Sequence, residues 1–302
     1  MDHSKAIEIK KDKNGVEQVL LRNPSGASVR VSLHGGQVLS WKTDHGEELL
    51  FISREATFKP PTAVRGGIPI CFPQFGKAGS LEEHGFARNR MWNIDNNPPP
   101  LQSNHSNDKT YIDLLLKSSA DDLKVWPHDF EFRLRVALAL DGSLALTSRI
   151  RNISSKNFSF YIAHQTYFSV SDISDVRVEG LETLDYLENL FDGERFPGKG
   201  NAVTFESEVD RVYLSSIEEI AVLDHNPWNS RTFLIKNEGL PDVVVWNPWE
   251  EKSVAIADLG DEEYEHMVCV GGAAIEKPIT LEKGEKWTGT LKLSVKHTTQ
   301  PN

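Results

Sequence analysis

The stretch "AVRGGIPICFPQFGKAGSLEEHGFARNRMW", residues 63–92, gathers Arg65, Arg88 and Arg90 with His84 among glycines and prolines. Guanidinium forks pair with phosphate or carboxylate oxygens, and backbone amides exposed in glycine-rich turns add to the attraction. The combination suits an anion, although solvated or structural ion pairs use the same residue types. A second stretch, "YIAHQTYF" (residues 161–168), reads as a β-strand carrying His164 beside Gln165. Strand alternation sends these two side chains to opposite faces. The face that meets a ligand therefore decides the chemistry, because glutamine hydrogen-bonds but has no proton to give at neutral pH.

The elements that must position these groups are strands. In "EFRLRVALAL" the residues Phe132, Leu134, Val136, Leu138 and Leu140 fall on one face, with Glu131, Arg133 and Arg135 on the other. Asp141-Gly142 supplies a hairpin turn, and "SLALTSRI" returns with the same alternation. The pattern recurs in "ASVRVSLHGGQVLSW", "DVVVWNPW" and "GTLKLSVK". One short helix is expected in "SSADDLKVWP", with Ser118 or Ser119 as N-cap and Pro127 at its end. "NNPPPLQSNHSNDK" (residues 96–109) reads as an exposed loop, and "LHGG" with His34 as a turn. No fixed-period repeat or linker divides the chain. The expectation is one domain over residues 1–302, an all-β, mostly antiparallel sandwich whose concave face takes a ligand.

Composition narrows the partners. The chain has 302 residues, a formal net charge of −11 and a 39% hydrophobic content. That charge argues against nucleic acid and against an anionic membrane surface. No apolar run approaches a membrane span, and the N-terminal residues have no apolar signal core, so a cytoplasmic protein is expected. Cys71 and Cys269 read as buried thiols of a reducing compartment rather than a disulfide. The ten histidines show no metal-ligand spacing. The acidic run from Asp258 to Glu265 reads as solvated, and Trp246 and Trp249 as core or pocket wall.

Several motifs in order, "AVRGGIPICFPQFG", "HGFARNRMW", "TYFSVSDISDVRVEGL", "FESEVDRVYL", "VVWNPW" and "AAIEKPITL", resemble the plant-type glucose-6-phosphate 1-epimerases of the aldose 1-epimerase (mutarotase-like) family. The likeness runs from about residue 15 to about residue 295. It implies a galactose-mutarotase-like β-supersandwich, no cofactor or metal, a hexose 6-phosphate as ligand and a monomer. By the resemblance, Arg65 and Arg88 hold the phosphate or nearby hydroxyls, Asp210 takes sugar hydroxyls and His84 lines the pocket. Anomer exchange removes a proton from the anomeric hydroxyl and gives one to the ring oxygen, so it needs one base and one acid.

The family's acid is a histidine and its base a glutamate. Counting from the flanking motifs, the histidine position falls on Gln165 and the glutamate position on Gly271. A further departure is Glu83, where relatives commonly have glutamine. Glu83, His164 and Gln165 are therefore the candidates for any re-sited chemistry, with Gly271 in the binding surface. His164 is expected to face away, and Glu276 lies too far along its strand to replace the base. Three readings follow: an epimerase with re-sited acid and base, a non-catalytic sugar-phosphate binder, or a fold recruited to another isomerisation, cyclisation or epimerisation in plant specialised metabolism.

Overall fold

The computed structural model describes residues 6–77, 79–100, 109–216, 219–226 and 230–297. Most of the expected loop at 96–109 lies outside the described residues. Three sheets carry the chain. The first is a four-stranded meander built from Ile7–Lys11, Glu17–Arg22, Ser28–Ser32 and Val38–Lys42. Two eight-stranded sheets then face each other, and their strand pairs are antiparallel.

The alternation read from the sequence is realised in the outer of these sheets. Phe130–Ala139 pairs with Leu144–Asn152 through the Asp141-Gly142 turn, where Gly142 adopts φ 82°. Phe132, Leu134, Val136 and Leu138 are wholly buried. They meet Phe160, Ile162, Phe233 and Ile235 in one continuous core. Phe72 anchors one end of it, with edge-on contacts to Phe86, Trp126, Phe130, Phe132 and Phe160.

The short helix is Ala120–Val125, and Ser119 is its cap. Ser119 and Asp122 form a reciprocal capping box. Asp122 is buried and also receives Arg90 Nε at 2.8 Å. Arg90 therefore serves this helix end, not the cleft. Among the described residues no helix is long and apolar enough to cross a membrane.

The inner eight-stranded sheet positions the site. Its order runs Glu194–Phe196, Tyr186–Glu188, Val209–Tyr213, Asp242–Asn247, Met267–Leu281, Phe158–His164 and Ile70–Cys71. Tyr167–Ser169 continues the line of Phe158–His164 and pairs with the same long strand.

Candidate functional site

Register sets which residues share the face turned away from the core. Asp210 stands opposite Trp246, Trp246 opposite Cys269, and Cys269 opposite Tyr167. The neighbouring row is Leu187, Val212, Val244 and Gly271. The next contains Ala273, Ala163 and Cys71. Because Ala163 faces Ala273 and Tyr167 faces Cys269, Gln165 falls opposite Gly271 on the same face. Gln165 and Gly271 are thus cross-strand neighbours.

Gln165 is only 7% exposed, and its Oε1 lies 3.4 Å from Cys71 Sγ. Burial pushes the Cys71 thiol up to about 12, so at neutral pH it is a weak donor to this amide and not a thiolate. At Gly271 the strands approach more closely than a side chain allows. A Cβ there would lie 1.7 Å from the carbonyl oxygen of His164 and 3.2 Å from the amide nitrogen of Thr166. Glycine inside a strand marks this kind of close backbone approach. Substituting Gly271→Ala is expected to cost about 1–3 kcal/mol, because the backbone itself must yield. Urea denaturation measures it. An unchanged unfolding midpoint would show that the contact relaxes freely.

His164 does not join the cleft. Its side chain turns into the space between the sheets, where Nε2 lies 3.0 Å from Ser148 Oγ and the residue is completely buried. Burial alone depresses its pKa to about 4. Of the candidates for re-sited chemistry, His164 is therefore excluded by strand parity. Glu276 is spent on Arg195 at the sheet edge, with 2.9 Å between them.

The arginines enter from the loops. Arg65 is half-buried; its Nε and a terminal nitrogen contact Asp258 at 3.0 and 2.9 Å, and another terminal nitrogen donates to Tyr167 Oη at 3.3 Å. Burial pulls its pKa down, but Tyr167 and Asp258 outweigh this and hold it above the ordinary arginine value. Arg88 differs. One terminal nitrogen donates to the Glu83 carbonyl at 3.1 Å, its Nε is buried without a partner, and no carboxylate reaches it among the described residues.

His84 sits at φ 64° in the turn between them, its ring 5.1 Å from that of Phe75. Its Nδ1 accepts from Gly76 N at 3.1 Å, which places the ring proton of the neutral form on Nε2. Burial, with Arg88 and Arg65 nearby, depresses its pKa to about 3. The ring is a neutral donor at physiological pH. Glu83 Oε1 lies 4.0 Å from His84 Nε2, and the Glu83 side chain is 53% exposed.

At the far end, Asp210 accepts from Asn189 Nδ2 at 2.8 Å. Burial raises its pKa; the Asn189 hydrogen bond opposes this, and nearby Glu188 reinforces it. The structure thus brings Arg65, His84, Arg88, Glu83, Asp210, Gln165 and Gly271 to one face. Sequence reasoning missed Asp258 and Tyr167, which orient Arg65. Asp258 lies in the run expected to be solvated, and instead it is an ion-pair partner. Glu263 of that run is buried and receives Ser53 Oγ at 2.6 Å and Arg54 N at 2.9 Å. No spacing signals such contacts across about two hundred residues.

The paired sheets with this cleft define a β-sandwich of the galactose-mutarotase type. Its backbone superposes on the crystal structure of a Salmonella typhimurium protein named a "putative mutarotase" with a TM-score of 0.84, at 27% identity over 97% of this chain and 95% of that one. The aldose 1-epimerase family model matches residues 17–294, and the chain belongs to that family. A Cenchrus ciliaris relative named "Putative glucose-6-phosphate 1-epimerase" is 57% identical over 289 residues, 95% of this chain and 87% of the relative. An Escherichia coli K12 protein of the same name is 33% identical over 257 residues, 83% of this chain and 82% of that protein.

Proposed function

We propose that the cleft binds a hexose 6-phosphate or a similar small anionic polyol and lacks the acid–base pair needed to interconvert its anomers. Arg88, which no carboxylate reaches among the described residues, and the Asp258-held Arg65 receive the anion. His84 Nε2 donates to a ligand oxygen, and Asp210 accepts from hydroxyls at the other end. The observation that carries the reading is the Gln165–Gly271 pair. One position offers an amide, and the other is filled by the backbone of His164.

The test has two parts. Glucose 6-phosphate binding, measured by calorimetry, is expected to be saturable and to weaken at least about tenfold in Arg88→Gln, since a charge-assisted hydrogen bond is worth roughly 1.5–3 kcal/mol. Anomer exchange by magnetisation-transfer NMR is expected to stay at the rate of buffer. Binding unaffected by Arg88→Gln would remove the anion from this site.

A second reading draws on the middle of the face. Val212, Val244, Ala163, Ala273 and Cys71 form an apolar cluster against Phe75, Leu187 and Ile275. These five residues are buried, so a ligand would meet the partly exposed Phe75, Leu187 and Ile275 packed over them. That apolar cover favours a less hydroxylated body, as expected of a fold recruited to a different isomerisation. Competition between glucose 6-phosphate and more apolar anions separates the two.

A further inference from the structure

The charges around the cleft do not balance in favour of a phosphate. Arg65 and Arg88 supply two positive charges, while Asp258, Asp210 and Glu83 supply three negative ones. Lys252 and Glu188, whose charges both act on Asp210, offset one another, so the count stays at one net negative charge. Asp258 is already committed to Arg65. Asp210 is tied to Asn189 at the opposite end. Glu83 is the carboxylate placed among the anion-receiving groups without being consumed by them. It directly precedes His84, its backbone carbonyl accepts from Arg88, and its carboxylate forms no ion pair with either arginine among the described residues. Its field reaches across the cleft to both Cys71 and Asp210.

We infer that Glu83 is a charge filter: its carboxylate disfavours a dianionic phosphate ester at Arg65 and Arg88 and favours a monoanionic or neutral ligand. This rests on the reading that the two arginines receive the anion. Coulomb energy is linear in ligand charge, so a single fixed negative charge penalises a dianion twice as much, in logarithmic terms, as a monoanion of the same shape. The half-exposed position screens the effect, and salt screens it further.

Calorimetry with glucose 6-phosphate and glucose 6-sulfate tests this at pH 8, where the phosphate is a dianion. At low salt Glu83→Gln is expected to tighten the phosphate ester about three- to tenfold and the sulfate ester by about the square root of that factor. Both gains should shrink in 0.5 M NaCl. Unchanged or weaker phosphate binding overturns the inference, and so does an equal gain for the two esters. If neither ester binds either protein, the proposed function fails instead. The filter then stands or falls on the carboxyl titration of Asp210 by ¹³C NMR. Removal of the Glu83 charge should lower that midpoint, and an unmoved midpoint overturns it.

Discussion

Glucose 6-phosphate anomers should interconvert no faster with this protein than in buffer alone. A positioned acid and a positioned base each contribute typically about 10²–10⁴-fold, so removing both leaves binding without turnover. Their losses are not multiplied, because the two groups act on one reaction coordinate. Gln165 supplies at most a hydrogen bond, and Gly271 supplies nothing. His164 is on the wrong face. His84, with its pKa near 3, has a neutral imidazole whose remaining Nε2 proton is far too weakly acidic to transfer. Exchange tenfold or more above buffer would contradict this, and loss of that exchange in Glu83→Gln or Asp210→Asn would identify the carboxylate responsible.

Restoring the chemistry by substitution is harder than the sequence suggests. Gln165→His replaces a buried amide by an imidazole of similar reach and should be tolerated. Gly271→Glu must first push the His164 carbonyl out of the space its Cβ requires. The double variant is therefore expected to be less stable and to regain activity only if the two strands move apart there. Full activity in a stable double variant would show that the glycine contact is incidental.

Stability should fall markedly between pH 7 and pH 5, and His164 should account for much of the fall. Its folded pKa is depressed from 6.5 to about 4 by burial. Over that interval the unfolded chain binds a proton that the folded chain refuses. The neutral form's advantage is complete above about pH 6.5 and is lost as pH falls toward 4, a total of about 3 kcal/mol. His84, depressed to about 3, acts in the same direction. Asp210 and Glu208 have raised carboxyl pKa values, so they oppose the trend at the lower end of the range.

Comparing the protein with His164→Gln isolates the residue. Urea denaturation from pH 7 to pH 5 should show the variant losing about 2 kcal/mol less than the parent, since glutamine does not titrate. Equal slopes would place the His164 imidazole in a more polar setting than its contact with Ser148 indicates.

Much of the scaffold was legible because local chemistry and the global fold agree. The period-2 run read at residues 131–140 forms the strand Phe130–Ala139, with Leu140 beyond its end and exposed. The Asp141-Gly142 turn and the Ser119 cap appear where expected, and each of these features follows from a few adjacent residues. The pairing of Arg65 with Asp258, 193 positions apart, was not legible. Nor was the apposition of Gln165 and Gly271, which depends on the register of strands far apart in the chain. In the acidic run at 258–265, Asp261 and Glu262 are exposed as expected, but Asp258 and Glu263 were misread because solvated and buried carboxylates have the same composition.

By itself the sequence determined the family and which residue types stand at 165 and 271. Types limit chemistry directly, since an amide and a hydrogen atom cannot move the required protons. Only the tertiary structure decided that these positions face each other, that His164 belongs to the core, and that the His164 backbone fills the space a side chain at 271 would need. Such relations depend on strand register and on the direction in which each face turns, and both are fixed by packing the whole sandwich.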